Sequence, residues 1–285
     1  MKGFKPNQHK KRERSSAKSF DFKQIPICGD CRLGGITILL FETKQYFFRM
    51  TTHHIKKSYS PNTKLSDLIC ENYDLLLVIT RFGISLGFGE KSIREVCEDN
   101  RVNTNTLMAV INALNNRPEH PSETVLSDLS APSLINYLRK SHNYFLEFRL
   151  PLLRQDLLAA LSNCPSEVVF VIRQFYDEYV EEVRKHMSYE EKTVFPYVEK
   201  LLDGKLDKRS HYRIDIFSKR HDQIELKISE LKNLLIKYYP TSSGYELNSV
   251  LHDIFSSEDD LSAHNFVEDH LFVPLIRKIE KENGL

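Results

Sequence analysis

Apolar side chains recur at three- and four-residue steps along most of the chain beyond residue 60, and this spacing predicts α-helices. Period-two alternation, which would indicate strands, is not sustained in any stretch. The spacing continues over four long stretches, at residues 133–161, 167–202, 211–238 and 245–281. Four long helices with short connections predict an all-α fold with an antiparallel four-helix bundle over residues 133–285.

A shorter helical region precedes the bundle, at residues 60–116. Ser92 and Glu95 form a capping box at the start of one of its helices. Three prolines then mark residues 117–132 as a linker. The pattern therefore predicts a small helical domain joined by a linker to the bundle.

Charge sets the N-terminal segment apart from the rest. Residues 1–49 hold eleven Lys and Arg against four Asp and Glu, whereas the remainder holds 29 against 35. This basic, aperiodic composition predicts a disordered extension over residues 1–59. Within it, Cys28 and Cys31 form a lone CxxC, which we interpret as incidental because no second pair accompanies it.

Composition and charge also indicate the cellular compartment and exclude some classes of partner. The acidic body argues against nucleic acid as a partner, because phosphate binding needs clustered Lys and Arg. No apolar run approaches the roughly 18 residues of a membrane span, so no membrane partner is expected. Five scattered cysteines are too few for a disulfide scaffold, and they predict the reducing cytoplasm.

Histidines recur near the middle of every predicted bundle helix, and three of them, His186, His221 and His264, precede a glutamate by one turn. Residues at i and i+4 share a helix face, so each such pair can reach one site. A proline follows ten positions after the histidine in two of these pairs, those of His186 and His264. The candidate metal ligands are His142, His186, Glu190, His221, His264 and Glu268.

Neutral imidazoles combined with carboxylates suit iron, zinc or manganese, and bundle cores hold such sites. The Glu-x-x-His of ferritin-like sites and the HExxH of metalloproteases are both absent from the sequence. Glu225, one turn after His221, is either a seventh ligand or a solvated or orienting neighbour, and we favour the second. Glu191 is expected to point about 100° away from Glu190 around the helix, so its replacement should do little.

The four remaining histidines in the body are not expected to bind the metal. His270 follows Glu268 by two positions and should point elsewhere. His120, His211 and His252 fall near helix ends or in the linker and are expected at the surface.

The bundle resembles the hemerythrin-like domain of the di-iron iron–sulfur cluster repair proteins, the repair of iron centres family. The residues that carry this resemblance are His142 with Leu150 and Pro151, His186 and Met187 with Glu190, Glu191, Phe195 and Pro196, His221, and His264 with Glu268, Leu271 and Phe272. It implies an oxo- and carboxylate-bridged centre of two iron ions. Glu190 and Glu268 would be the bridging ligands, and the four histidines would be terminal ligands.

Residues 64–114 resemble the small N-terminal domain of the same family, through the run Arg81-Phe82-Gly83-Ile84 and through Gly89, Ser92 and Ile93. That domain typically carries adjacent cysteines where this chain has Gly87 and Phe88. Thiol chemistry is therefore not expected, and we interpret Cys70 and Cys97 as core residues. We expect a docking or oligomerisation unit, for example in a homodimer, with Phe88 either exposed to a partner or packed on its own helices.

The resemblance implies a di-iron protein of the nitrosative and oxidative stress response, which helps repair damaged iron–sulfur clusters. Its partners would then be the damaged iron–sulfur proteins, met transiently, together with nitric oxide or oxygen. The alternative is a hemerythrin-like module that binds or senses oxygen or nitric oxide without turnover. A purely structural bundle is the third hypothesis, which metal content would separate from the others. The sequence identifies no catalytic residue.

We expect residues 1–49 to be dispensable for folding and for metal binding, because their composition is unlike that of the rest of the chain. A chain that starts at Met50 should keep the helix content and metal load of the full chain, as measured by circular dichroism and metal analysis. Loss of folded protein on this truncation would show that the extension is packed against the body.

Overall fold

The computed structural model describes residues 57–118, 120–206, 212–217, 222–238 and 244–285. This described part contains helices and no β-strand, so the predicted all-α class is confirmed. Most of the extension predicted at residues 1–59 lies outside it. The helices are α1 (Leu65–Glu71), α2 (Leu75–Arg81), α3 (Ile93–Asn100), α4 (Thr104–Asn116), α5 (Glu123–Ser127), α6 (Ala131–Asn143), α7 (Leu150–Ala160), α8 (Ser166–Tyr189), α9 (Phe195–Leu202), α10 (Asp222–Tyr238), α11 (Tyr245–Val267) and α12 (Val273–Glu282).

Helices α1 to α4 form the small helical region predicted before the bundle. The capping box is present: the Ser92 side chain accepts a hydrogen bond from the Glu95 amide, and the Glu95 carboxylate accepts one from the Ser92 amide. Tyr59 is buried against this region, and its amide donates to the Asn112 side chain. The segment predicted as a linker includes the short helix α5.

Three bundle helices are each built from two α-segments joined by a π-helical segment. Tyr144–Arg149 joins α6 to α7, Glu190–Val194 joins α8 to α9, and Glu268–Phe272 joins α11 to α12. We call these composites the first, second and fourth bundle helices, and α10 the third.

A proline explains each π-helical segment. Pro151, Pro196 and Pro274 are the second residues of α7, α9 and α12. A proline has no amide hydrogen, and its ring clashes with the carbonyl group four residues earlier, so the regular α-helical hydrogen bond cannot form there. The residue before each proline instead donates to the carbonyl five residues back, as Phe195 does to Glu190. The wider turn keeps the helix continuous through the proline.

The apolar core is divided into two clusters. One cluster contains the buried residues of α1 to α4 together with one end of the bundle, including Leu138, Phe195 and Phe272. The other fills the opposite end of the bundle, including Phe145, Met187 and Leu261. The small helical region and the bundle therefore share a continuous core within one compact unit.

The cysteines and Phe88 of the small region differ in their surroundings. Cys97 is buried, as expected, and burial raises the pKa of its thiol. Cys70 is exposed, so its interpretation as a core residue is wrong. It lies two positions after Leu68, on the face of α1 opposite the buried leucines. Phe88 is half-buried against the core, whereas its neighbour Leu86 is exposed.

Among the described residues, no helix combines the length and the apolar character that a membrane crossing requires.

Candidate metal centre

Buried polar side chains form a layer between the two apolar clusters. His142 is in the last turn of α6, and His186 is in the last turn of α8 with Glu190 following it. His264 and Glu268 take the same positions at the end of α11. Both glutamates and His264 are fully buried, and the two other histidines are nearly so. The i, i+4 spacing predicted that each pair would face one site, and the α-helical geometry up to each glutamate produces that arrangement.

Four of these side chains converge on one point. His142, Glu190, His264 and Glu268 each offer a ligand atom, and the four atoms lie within 4.8 Å of one another. Ligand atoms about 2.1 Å from a metal ion lie at most about 4.2 Å apart, so this cluster is close to the size of one coordination sphere. His186 lies beside it, with its Nε2 2.7 Å from Glu190 Oε1.

Glu190 lies between two histidines, His142 and His186. One of its oxygens lies 2.8 Å from His142 Nε2, and the other faces His186. Glu268 Oε1 lies 3.1 Å from His264 Nε2. Glu190 therefore contacts two histidines at once, one with each carboxylate oxygen.

The donor set fits a cation. Within the described part, Nε2 of His142, Nε2 of His264 and both oxygens of Glu190 are buried and make no aligned hydrogen bond. Buried polar groups in proteins are almost always paired, because an unpaired one costs about 1–3 kcal/mol. Nitrogen and oxygen atoms that face a common point without hydrogen bonds are arranged as ligands to a metal ion, and two buried carboxylates supply charge to balance it.

Glu191 lies away from Glu190 around the helix, as expected, but its carboxylate contacts His142, and this contact gives reason to expect an effect when Glu191 is replaced. Its Oε1 lies 2.8 Å from Nδ1 of His142, the ring nitrogen on the far side from the cluster. Arg139 holds the other carboxylate oxygen at 3.1 Å. A side chain 100° around the second bundle helix still faces the neighbouring first helix, and there it reaches His142.

The contacts of Glu191 set the charge and orientation of His142. Burial would raise the pKa of the Glu191 carboxyl group, but His142 and Arg139 outweigh burial and lower it, so the carboxylate stays ionised. Burial would lower the pKa of His142, but Glu190 and Glu191 outweigh burial and raise it to about 9. A carboxylate on the far nitrogen of a ligand histidine orients the ring and raises its basicity.

Aromatic rings enclose the polar layer. Phe195 stacks on His142, with ring centroids 5.6 Å apart, and Phe217 stacks on His186 at 6.0 Å. Phe145 meets the His264 ring edge-on at 6.1 Å. These apolar walls exclude water and so strengthen the electrostatic interactions of the layer.

The remaining candidates fall outside the cluster or outside the described residues. His221 and the side chain of Glu225 are outside the description, so their predicted roles stay predictions. His270 stacks on Phe266, and its Nδ1 faces the Phe266 carbonyl, so it points away from the cluster as expected. His120 and His252 are exposed, as predicted.

Residues 133–276 match the family described as Hemerythrin HHE cation binding domain, which is half of the chain. The chain belongs to the hemerythrin family. The predicted resemblance is thereby confirmed, and the hemerythrin-like bundle carries a His and Glu cluster suited to a metal ion.

The chain is also similar to the iron-sulfur cluster repair protein ScdA of Staphylococcus haemolyticus (strain JCSC1435). The two are 24% identical over 199 residues, which cover 68% of this chain and 88% of the relative. The aligned length exceeds that of the hemerythrin-like bundle, so the similarity extends into the chain that precedes it.

We expect Glu191→Ala to weaken metal binding about 10- to 100-fold, because His142 loses the carboxylate that orients its ring. Equilibrium titration with Fe²⁺ under anaerobic conditions measures the effect, and circular dichroism checks the fold. Glu181→Ala is the matched control, since Glu181 is half-exposed on the same helix and its ion pair is with Arg184. Equal affinities for the two variants would show that Glu191 does not act on the centre.

Proposed function

We propose that the bundle binds two iron ions and that the iron-loaded protein helps repair damaged iron–sulfur clusters in the cytoplasm. The observation that carries the proposal is the buried cluster of His142, Glu190, His264 and Glu268, with His186 beside it. The similarity to an iron-sulfur cluster repair protein supports the choice of activity. The partners would be proteins with clusters damaged by nitric oxide or oxidants.

The residues of the chain suggest how the two ions would be held. His142 and His264 would bind one ion, and His186 would bind the other together with His221. Glu190 and Glu268 would span both, one from each of two bundle helices. Two carboxylates shared in this way would offset part of the metal charge within an apolar core.

Iron in such a site would supply redox chemistry and open coordination positions for small ligands such as nitric oxide, oxygen or water. The chain would contribute the rest: Glu191 orients His142, the phenylalanine rings exclude water, and the buried carboxylates hold the site at low charge. A tetrahedral zinc site is a weaker fit, because structural zinc takes four nitrogen or sulfur ligands.

The test of repair uses an iron–sulfur enzyme whose cluster has been damaged by nitric oxide. The iron-loaded chain should restore its activity, whereas the metal-free chain and an equal amount of free Fe²⁺ should not. If nitric oxide binds the iron-loaded chain and changes its spectrum but no enzyme activity returns, the alternative of a binding or sensing module is correct. A chain that holds well under one iron after reconstitution would contradict both.

Replacing either proposed bridging glutamate should disturb both ions. We expect Glu190→Leu and Glu268→Leu to lose both irons, because each removes a ligand that the two ions share. His142→Ala should mainly weaken one ion, since it removes a terminal ligand. Iron analysis and the near-ultraviolet spectrum of the oxidised protein measure the difference. Equal losses in the glutamate and histidine variants would contradict the bridging assignment.

The small helical region is expected to act without thiol chemistry. Cys97 is buried with a raised pKa, and Cys70 lies alone on an exposed face. The double variant Cys70→Ser with Cys97→Ala should therefore keep the iron load and repair activity of the wild type in the same assays. A clear loss of repair by a folded double variant would show that one of these thiols takes part.

A further inference from the structure

Arg81 is a buried arginine in the last turn of α2, within the small helical region. Only 3% of its side chain is exposed. Its two terminal nitrogens meet the two carboxylate oxygens of Asp260 in α11, at 2.7 Å and 2.6 Å. A planar guanidinium paired in this two-pronged way is held in one orientation, which a lysine could not reproduce.

The ion pair lies beside a helix that carries two of the proposed ligands. Asp260 precedes His264 by one turn on the same face of α11. On its other side, the Arg81 guanidinium lies over the rings of Tyr144 and Phe145, 5.2 and 5.3 Å from their centroids. Phe145 itself contacts the His264 ring. Arg81 is therefore connected to His264 in two ways. It contacts Phe145, which meets the His264 ring, and it pairs with Asp260, which lies one turn before His264 on α11.

A third route passes through Tyr137 in α6. Tyr137 is fully buried, and its ring packs against Phe82 with centroids 5.1 Å apart. Burial raises the pKa of its phenol, so the hydroxyl stays neutral. Tyr137 belongs to α6, whose last turn carries His142, so its contact with Phe82 joins the small region to a second helix that carries a proposed ligand.

We propose that Arg81 is a positioning residue of the metal centre, because it fixes α11 against the first bundle helix and so sets how His264 and Glu268 meet the ion. This inference rests on the proposed metal site. Attachment of the small region does not require the ion pair, since the two parts already share an apolar core. Buried ion pairs are often no more stabilising than apolar side chains of the same volume. Stability alone therefore does not explain why this position holds an ion pair.

The experiment separates positioning from simple packing by replacing the pair in the full chain. Arg81→Met leaves Asp260 buried without its cation. The double variant Arg81→Met with Asp260→Leu removes both charges and keeps the volume, so it should remain folded. Arg81→Lys keeps the charge and loses the two-pronged contact. The matched control is Arg154→Met with Asp177→Leu, because that pair is also two-pronged, at 2.7 and 3.1 Å, but is half-exposed.

Three measurements are made on each variant: thermal unfolding of the metal-free protein, the rate of Fe²⁺ release to a chelator, and the visible absorption spectrum after loading with Co²⁺. We expect the folded Arg81 variants to release iron at least about tenfold faster than the wild type. Tenfold is the lower limit of the usual loss of metal affinity when a residue that supports a ligand is replaced. Their cobalt spectra should also change, which a purely structural role would not cause. The control variant should match the wild type in release rate and spectrum.

A folded double variant with the release rate and cobalt spectrum of the wild type would overturn the proposal. If both methionine variants fail to fold, Arg81→Lys decides by the same criterion. If the wild-type chain itself binds neither Fe²⁺ nor Co²⁺, the metal site fails and the positioning role fails with it. If instead the wild type binds metal and the Arg81 variants behave identically to it, only the positioning role fails.

Discussion

The structure depends on the burial of two carboxylates, Glu190 and Glu268, in the middle of a helical bundle. A buried charge is tolerated only when another charge or a metal ion compensates it. Three histidines from the described helices face these carboxylates, and aromatic rings close the layer on either side. A bundle selected for stability alone would place leucines at these positions. The arrangement therefore fits a binding site for a cation.

Much of the bundle and of its polar layer could be predicted from the sequence. Apolar periodicity is a local signal, and it located the long helices, except that the third predicted stretch at 211–238 contains a 3-10 turn at Ile214–Ile216 before α10. The i, i+4 spacing correctly predicted that His186 and His264 each face the glutamate one turn later. The contact between Glu191 and His142 was missed, because it depends on which neighbouring helix a side chain meets. Cys70 was misjudged for a related reason, since residue type alone does not say which face of a short helix is buried. The Arg81–Asp260 pair joins residues far apart in the sequence, and no local sequence pattern predicts such a contact.

The shared apolar core changes how the small helical region should be regarded. Its buried residues and those at one end of the bundle form one cluster, and Arg81 adds a charged contact close to the polar layer. Substitutions in this region are therefore expected to affect the bundle even where they lie far from the layer in the chain. Gly87 and Phe88 in its turn offer neither a thiol nor a metal ligand, so we propose structural support of the bundle as the contribution of this region.

The π-helical segments bear on how cooperatively the protein unfolds. At nearly the same level in three bundle helices, a proline removes one backbone hydrogen bond, and the polar layer interrupts the apolar core there. Backbone and core are thus both weakened at one cross-section. A cation bound in the layer would connect the two halves through side chains from several helices. Filling the layer would then couple the two parts of the bundle more tightly, so that the metal-loaded protein would unfold more cooperatively and at higher temperature than the metal-free protein.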